Sequence, residues 1–112
     1  MTSTLAFYEQ QSAQAETDLQ SARAEHAAAH RAFAEISERL TAEYEEADRK
    51  SEALARANNR APAPLALPHE AAEYRQAVRR LERAETQVQS CRRHAADMAE
   101  LVRWAQWRQQ QP

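Results

Sequence analysis

Three of the four histidines are placed where a helical chain could bring them together around a metal ion. His26 and His30 are four residues apart, so a helix would put both imidazoles on one face. A second helix folded back along the first would bring His94 within a few turns of them. No carboxylate or cysteine completes a ligand set, and His26 falls on an apolar stripe. We therefore predict no metal site and no cofactor.

Nucleophilic and acid–base catalysis also lack a suitable arrangement of residues. Cys91 is the only cysteine, so it cannot form an internal disulfide. It falls on an apolar stripe, where a small hydrophobic role is expected rather than that of a reactive thiolate. Acidic residues are abundant, but a chain of helices without a pocket positions no pair of them for proton transfer. We predict no enzymatic activity and no small-molecule substrate.

A basic stripe on the C-terminal half could contact phosphate groups. It consists of Arg75, Arg79, Arg80 and Arg83. Glu82 and Glu85 interrupt it, and the chain as a whole carries a net charge of −2. Ordinary solvated ion pairs are therefore favoured over a nucleic-acid surface.

The composition indicates an all-α chain of one domain. There is no glycine in 112 residues, which excludes a glycine-rich nucleotide loop and argues against folds rich in strands and turns. Ala, Glu, Gln and Arg dominate, and all are strong helix formers. No apolar run is long enough for membrane insertion, and the first residues lack the basic and apolar regions of a signal peptide. We expect a cytoplasmic protein.

The helical pattern is interrupted at one place, the segment from Asn58 to Pro68. It holds three of the four prolines, and proline cannot continue a helix. We predict helix one at about 3–58, a proline turn at about 59–68 and helix two at about 69–109. Any of the residues Thr2–Thr4 is a suitable N-terminal cap. Asn58 and Asn59 are candidates to end helix one in the left-handed conformation that glycine usually supplies.

Each predicted helix carries a heptad stripe, with apolar or small residues in alternating steps of three and four. In helix one the stripe is Leu5, Tyr8, Ser12, Ala15, Leu19, Ala22, His26, Ala29, Phe33, Ile36, Leu40, Glu43, Ala47, Lys50 and Leu54. Glu43 and Lys50 interrupt it, and a small rotation would let Tyr44 take over. In helix two the stripe is Tyr74, Ala77, Leu81, Ala84, Val88, Cys91, Ala95, Met98, Val102 and Ala105. Two such helices predict a long antiparallel helical hairpin, or coiled coil.

A tight turn at Leu65–Ala66 fixes which residues face each other across this hairpin. Leu40 is then expected opposite Cys91, Ile36 opposite Ala95 and Phe33 opposite Met98, as the centre of the core. The acidic run from Glu43 to Asp48 is expected opposite Arg79, Arg80 and Arg83. Helix two would then end well short of the start of helix one, leaving about the first twenty residues without cover.

The uncovered end is the predicted partner-binding surface. Leu5, Phe7, Tyr8 and Leu19 lie on the arm without cover, while Leu101, Trp104 and Trp107 lie off the stripe of helix two. Trp and Arg are enriched at interface anchors, so we expect association with another protein, with a second copy, or with both. The tryptophans could instead cover an arm that folds back.

The segment Tyr74–Ala84, with the sequence YRQAVRRLERA, together with a hairpin whose tip is near mid-chain, resembles the small coiled-coil stalk proteins of flagellar and type III secretion export ATPases. That resemblance implies a nonenzymatic rod that inserts into a ring ATPase and handles export chaperones.

We interpret the sequence as a nonenzymatic helical hairpin that binds another protein, as an adaptor, a chaperone-like factor or an inhibitor. A dimeric helical bundle is the expected assembly. The alternatives are an export-ATPase stalk, a purely structural self-assembling bundle and, third, a metal or nucleic-acid binder.

Overall fold

The computed structural model describes residues 3–112 and consists of two long α-helices joined into a hairpin. α1 spans Thr4–Ala57 and α2 spans Ala72–Gln109. A short 3₁₀ turn, Pro68–Glu70, precedes α2. No strand is present in the described part of the chain. The predicted all-α class and helical hairpin are confirmed.

Residues of the predicted types cap the two ends of α1. At its start, the Ser3 Oγ accepts a hydrogen bond from the Ala6 N–H (3.0 Å), as an N-cap serine does. Thr2, the other candidate before the helix, lies outside the described residues. At its end, Asn59 adopts a φ of 53°, in the left-handed region. The Arg60 N–H then reaches back to the Ala55 carbonyl (2.8 Å), the bond that closes a Schellman motif. Asn59 is thus confirmed as the terminator.

The chain divides into two compact units, each built from a segment of α1 and a segment of α2. Unit 1 combines the N-terminal residues up to Ala28 with Glu82–Pro112, and unit 2 is Ala29–Leu81. In unit 1, Ala15 and Leu19 of α1 pack with Ala95 of α2 to form the buried cluster. Val88, Cys91 and Met98, all partly buried, pack against this cluster.

Unit 2 contains the start of α2 and the proline segment. The rings of Phe33 and Tyr74 meet edge to face, with centroids 5.3 Å apart. The Arg39 guanidinium forms an ion pair with Glu73, in the first turn of α2. This carboxylate raises the pKa of Arg39, first by its hydrogen bond and then by its charge. The start of α2 is therefore level with Arg39.

The predicted register between the two helices is wrong. Cys91, Ala95 and Met98 pack with Ala15 and Leu19, not with residues 33–40, and Phe33 packs with Tyr74. Arg39 contacts Glu73, whereas the prediction puts it near Arg92, an error of about 19 residues or about 28 Å along a helix.

The reason for the error is the geometry of the proline segment, which is a long extended strap rather than a tight turn. Prolines push the residues before them to extended backbone, as at Leu67 (φ −75°, ψ 153°). Asn58 and Asn59 belong to the turn that ends α1, so at about 3.1 Å per residue the eight residues 60–67 reach about 25 Å. The part of α1 from Leu40 to Ala57 measures about 27 Å at about 1.5 Å per residue. The strap can thus run back along that part of α1, and residues 65–71 line a groove with Leu40, Glu43, Tyr44 and Ala47.

Two further expectations depended on the predicted facing and are also wrong. Leu19 is not on an uncovered arm, since it is only 4% exposed. The acidic run does not face the arginine stripe, because Arg39 lies beside Glu73 and this register places Arg79 and Arg80 several residues before Glu43 along α1. Instead Glu43 pairs with Arg39 (3.5 Å) and Glu46 with Lys50 (3.1 Å), both within α1.

The heptad stripe of α2 is confirmed, and that of α1 is confirmed as far as Leu40; beyond it the predicted stripe residues Ala47 and Leu54 are exposed, and that part of the prediction is wrong. Every stripe residue of α2, and of α1 from Leu5 to Leu40, is buried or half-buried. Beyond Leu40 the stripe rotates as expected: Glu43 and Lys50 are exposed, while Tyr44 is half-buried and Ala55 is buried. The stripe moves because a step of four from Leu40 to Tyr44 replaces the step of three to Glu43.

The core that these stripes form is made of small residues. Leu19 and eight alanines make up the buried set, and no large side chain among the described residues is fully buried. The accessible area is 8542 Å². A compact monomer of 12.8 kDa would expose about 6,300 Å². The single chain therefore buries much less surface than a compact protein of its size.

Candidate protein-binding surface

The side chains with metal-binding or nucleophilic chemistry do not form a site. Among residues 3–112, no group of three or more His, Cys, Asp or Glu side chains could hold a metal ion. His26 is half-buried on the stripe of α1, and His94 is exposed on α2. Cys91 packs against the buried cluster, and its Sγ lies 3.5 Å from the Gln87 Nε2, which donates to it. Nor does either long helix, over the residues described, contain a stretch long and apolar enough to cross a membrane.

Exposed aromatic side chains are the most unusual feature of unit 1. Phe7 is 51% exposed, Trp104 47% and Trp107 55%. Such large apolar side chains usually lie in the core of a protein, whereas the buried residues here are nearly all alanines. The outward placement of the tryptophans predicted from their heptad positions is confirmed.

Heptad positions explain why these rings point away from the helix pair. When Leu5 and Tyr74 are taken as a positions, Phe7 and Trp104 are both c and Leu101 is g. Positions c and g lie on the same side of a helix, and in antiparallel pairs the g positions of the two helices face each other. Arg39 and Glu73, both g, show this pairing in unit 2.

The same geometry puts Phe7 at the level of the tryptophans along the helix axes. Leu19 packs with Ala95, so twelve residues back along α1 and twelve forward along α2 lead to the level of Phe7 and Trp107. Phe7, Leu101 and Trp104 therefore share one side of unit 1, while Trp107, at position f next to Trp104, points away from α1. We call this set of four residues the aromatic face.

The remaining residues of the predicted binding surface lie either next to the aromatic face or in the core. Leu5 and Tyr8 are half-buried stripe residues, and the rings of Phe7 and Tyr8 meet edge to face at 5.7 Å. They lie next to the aromatic face. Leu19, in contrast, is inside the buried cluster and is not available to a partner.

Two charged residues of this surface, Asp97 and Arg108, are absent from the sequence-based prediction. Asp97 lines an open groove with Glu100, Leu101 and Trp104. Asp97 and Arg108 are exposed, and neither forms an ion pair with another described residue. The signal that could have identified them is their spacing from the apolar pair, since Asp97, Leu101, Trp104 and Arg108 follow steps of four, three and four.

A second groove of unit 1 lies on the e side of the helices. It is lined by Arg23, His26, Glu85, Val88, Gln89 and Arg92. Glu85 offsets part of the charge of the two arginines, and the side chains are mostly exposed. The groove has no large apolar side chain that could anchor a partner, unlike the aromatic face.

Comparison of the chain with protein-family models, with curated protein sequences and with solved structures finds no match. The resemblance to export-ATPase stalk proteins therefore stays a prediction, and the geometry of the aromatic face is the basis on which a function can be proposed.

Proposed function

We propose that this chain is a nonenzymatic protein-binding hairpin whose working surface is the aromatic face. The observation that carries the proposal is the exposure of Phe7, Trp104 and Trp107 by about half each, on helices whose buried positions are nearly all alanine. Burial of side chains of this size stabilises a protein, and the packing within unit 1 leaves them partly exposed to water.

The area involved is large enough to matter. Aromatic side chains bury about 150–250 Å² each, so three rings that are half-exposed leave roughly 300 Å² of apolar surface in water. Patches of about 300–600 Å² are the largest on typical monomers and are often functional. Tryptophan is also the residue most enriched among interface anchors. A protein partner is therefore the best-supported ligand.

The aromatic face has an open groove rather than an enclosed pocket, and this indicates the kind of ligand that it would bind. The groove beside Trp104 is open and lined by both charged and apolar groups. Such a surface suits the side of another helix, with apolar anchors at spacings of three and four. An adaptor, a chaperone-like factor or an inhibitor would each work in this way, by occupying or presenting a helix.

Replacing both tryptophans tests the proposal. Trp104→Ala with Trp107→Ala should abolish association, measured by light scattering and by capture of a binding partner on the tagged chain. Circular dichroism should be nearly unchanged, because both side chains are largely exposed and alanine favours helix.

Leu54→Ala is the matched control, since Leu54 is a large apolar residue that is 66% exposed in unit 2. It should leave association intact. Equal association of the wild-type chain and the double tryptophan variant would show that the aromatic face is not the working surface.

A further inference from the structure

α2 carries a second stripe, separate from the one that packs on α1. Asp97, Leu101, Trp104 and Arg108 occupy positions c, g, c and g. With a rotation of about 100° per residue, this stripe lies about 110° around the helix from the a/d stripe. In a four-helix bundle each helix packs against two neighbours, on two sides of its surface. The second stripe is thus placed where a further helix would pack.

The order of residue types along this stripe is self-complementary. From Asp97 to Arg108 it runs acid, apolar, apolar, base. A copy of the same segment laid antiparallel reads base, apolar, apolar, acid. Each apolar residue then meets an apolar residue, and each charge meets its opposite. A two-fold interface requires this kind of self-complementarity.

We propose that the partner of the aromatic face is a second copy of this chain. The two α2 helices pack antiparallel about a two-fold axis between Leu101 and Trp104. Leu101 of each copy contacts the partner's Trp104, and Asp97 of each copy faces the partner's Arg108. Phe7, on the same side of unit 1, borders this contact. The proposal rests on the proposed function and names its partner.

The surface area available to such a dimer is small, so a weak dimer is expected. The three exposed rings supply at most about 600 Å² in the pair, and only Trp104 lies on the stripe itself; Leu101 and the polar rim add to its area. Stable interfaces bury about 1,200–2,000 Å² in total. The overlap from Asp97 to Arg108 is only about three turns. We expect a weak dimer with an interface below that range, dissociating at micromolar concentrations.

Reversal of the two charges gives a specific test. Asp97→Arg leaves two bases on each copy, and Arg108→Glu leaves two acids, so each variant alone would bring like charges together. Sedimentation equilibrium at low ionic strength should show the dimer dissociation constant of each variant raised about tenfold or more. An equimolar mixture of the two variants pairs every base with an acid, and it should form a heterodimer with roughly the wild-type dissociation constant.

Matched controls are Glu82→Arg and Arg93→Glu, exposed residues of α2 at positions b and f, away from the stripe. They change the net charge similarly and should dimerise like the wild type. A wild-type chain that stays monomeric to about 100 µM, well above the micromolar range expected for so small an interface, would overturn the inference. So would a mixture that fails to recover the dimer.

The outcomes separate this inference from the proposed function. A monomeric wild type that binds another protein, and loses that binding with Trp104→Ala and Trp107→Ala, refutes the second copy as partner and keeps the aromatic face as a binding surface. A dimer that is unaffected by the tryptophan substitutions refutes both.

Discussion

Leu19→Ala distinguishes the observed packing of the helices from the one that a tight proline turn would give. Leu19 is the only large residue in the buried set, and it packs with Ala15 and Ala95 while Met98 covers the cluster. With a tight turn, Leu19 would have no cover, and its truncation would cost almost nothing. The two arrangements therefore predict different effects of one substitution.

The expected loss follows from the environment of the side chain. Truncation to alanine removes three carbon atoms, at about 0.8 kcal/mol each, and leaves a cavity that the alanines around it cannot fill. Buried Leu→Ala changes cost about 2–5 kcal/mol. The partly exposed residues around this cluster can relax, and alanine is the better helix former. We expect a loss of about 2–3 kcal/mol.

Urea unfolding followed by circular dichroism measures this loss, with all chains at one concentration because association would add to the apparent stability. For a chain whose total stability is about 5–15 kcal/mol, a loss of 2–3 kcal/mol moves the midpoint clearly. Leu54→Ala is again the control, at 66% exposure, and should change the free energy of unfolding by less than about 0.5 kcal/mol. Equal effects of the two substitutions would refute the observed packing.

Two further predictions concern the strap and the helix end before it. Asn59→Ala should lower the free energy of unfolding by about 1 kcal/mol in the same urea assay, because the left-handed backbone is less favourable for alanine than for asparagine. Asn59→Gly should not destabilise the chain. An alanine variant as stable as the wild type would contradict the observed cap. In a Cys91→Ser background, a short thiol cross-linker should join cysteines at positions 39 and 73 within one chain, since Arg39 and Glu73 form an ion pair. Cysteines at 36 and 95, which a tight turn would bring together, should not be joined.

Local features of this fold could be predicted from the sequence, because each depends on neighbouring residues. Heptad spacing identifies the stripes of both helices and the rotation from Glu43 to Tyr44, since side-chain direction follows from the helical repeat. Asn59 as the helix terminator follows from the lack of glycine. The outward placement of Trp104 and Trp107 follows from their heptad positions alone.

The facing of the helices could not be predicted in the same way, because alanine-rich stripes accept several registers with similar contacts. What decides the register is the length of the strap. Each extended residue spans about twice the rise of a helical one, so reading the segment before Pro68 as a turn displaces α2 by several turns. The wrong assignment of Leu19 to the surface followed directly from that displacement.

Alanine stripes and exposed aromatic residues have a common physical consequence for function. Small side chains let two helices approach closely, but each buried alanine removes little apolar surface from water. The larger apolar groups that would stabilise a compact domain lie at half-buried stripe positions and on the aromatic face. Under the proposed function, such a chain would gain much of its remaining hydrophobic stabilisation only when another helix covers that face. Folding and association should therefore be coupled, and the midpoint of thermal unfolding should rise with protein concentration if the partner is a second copy.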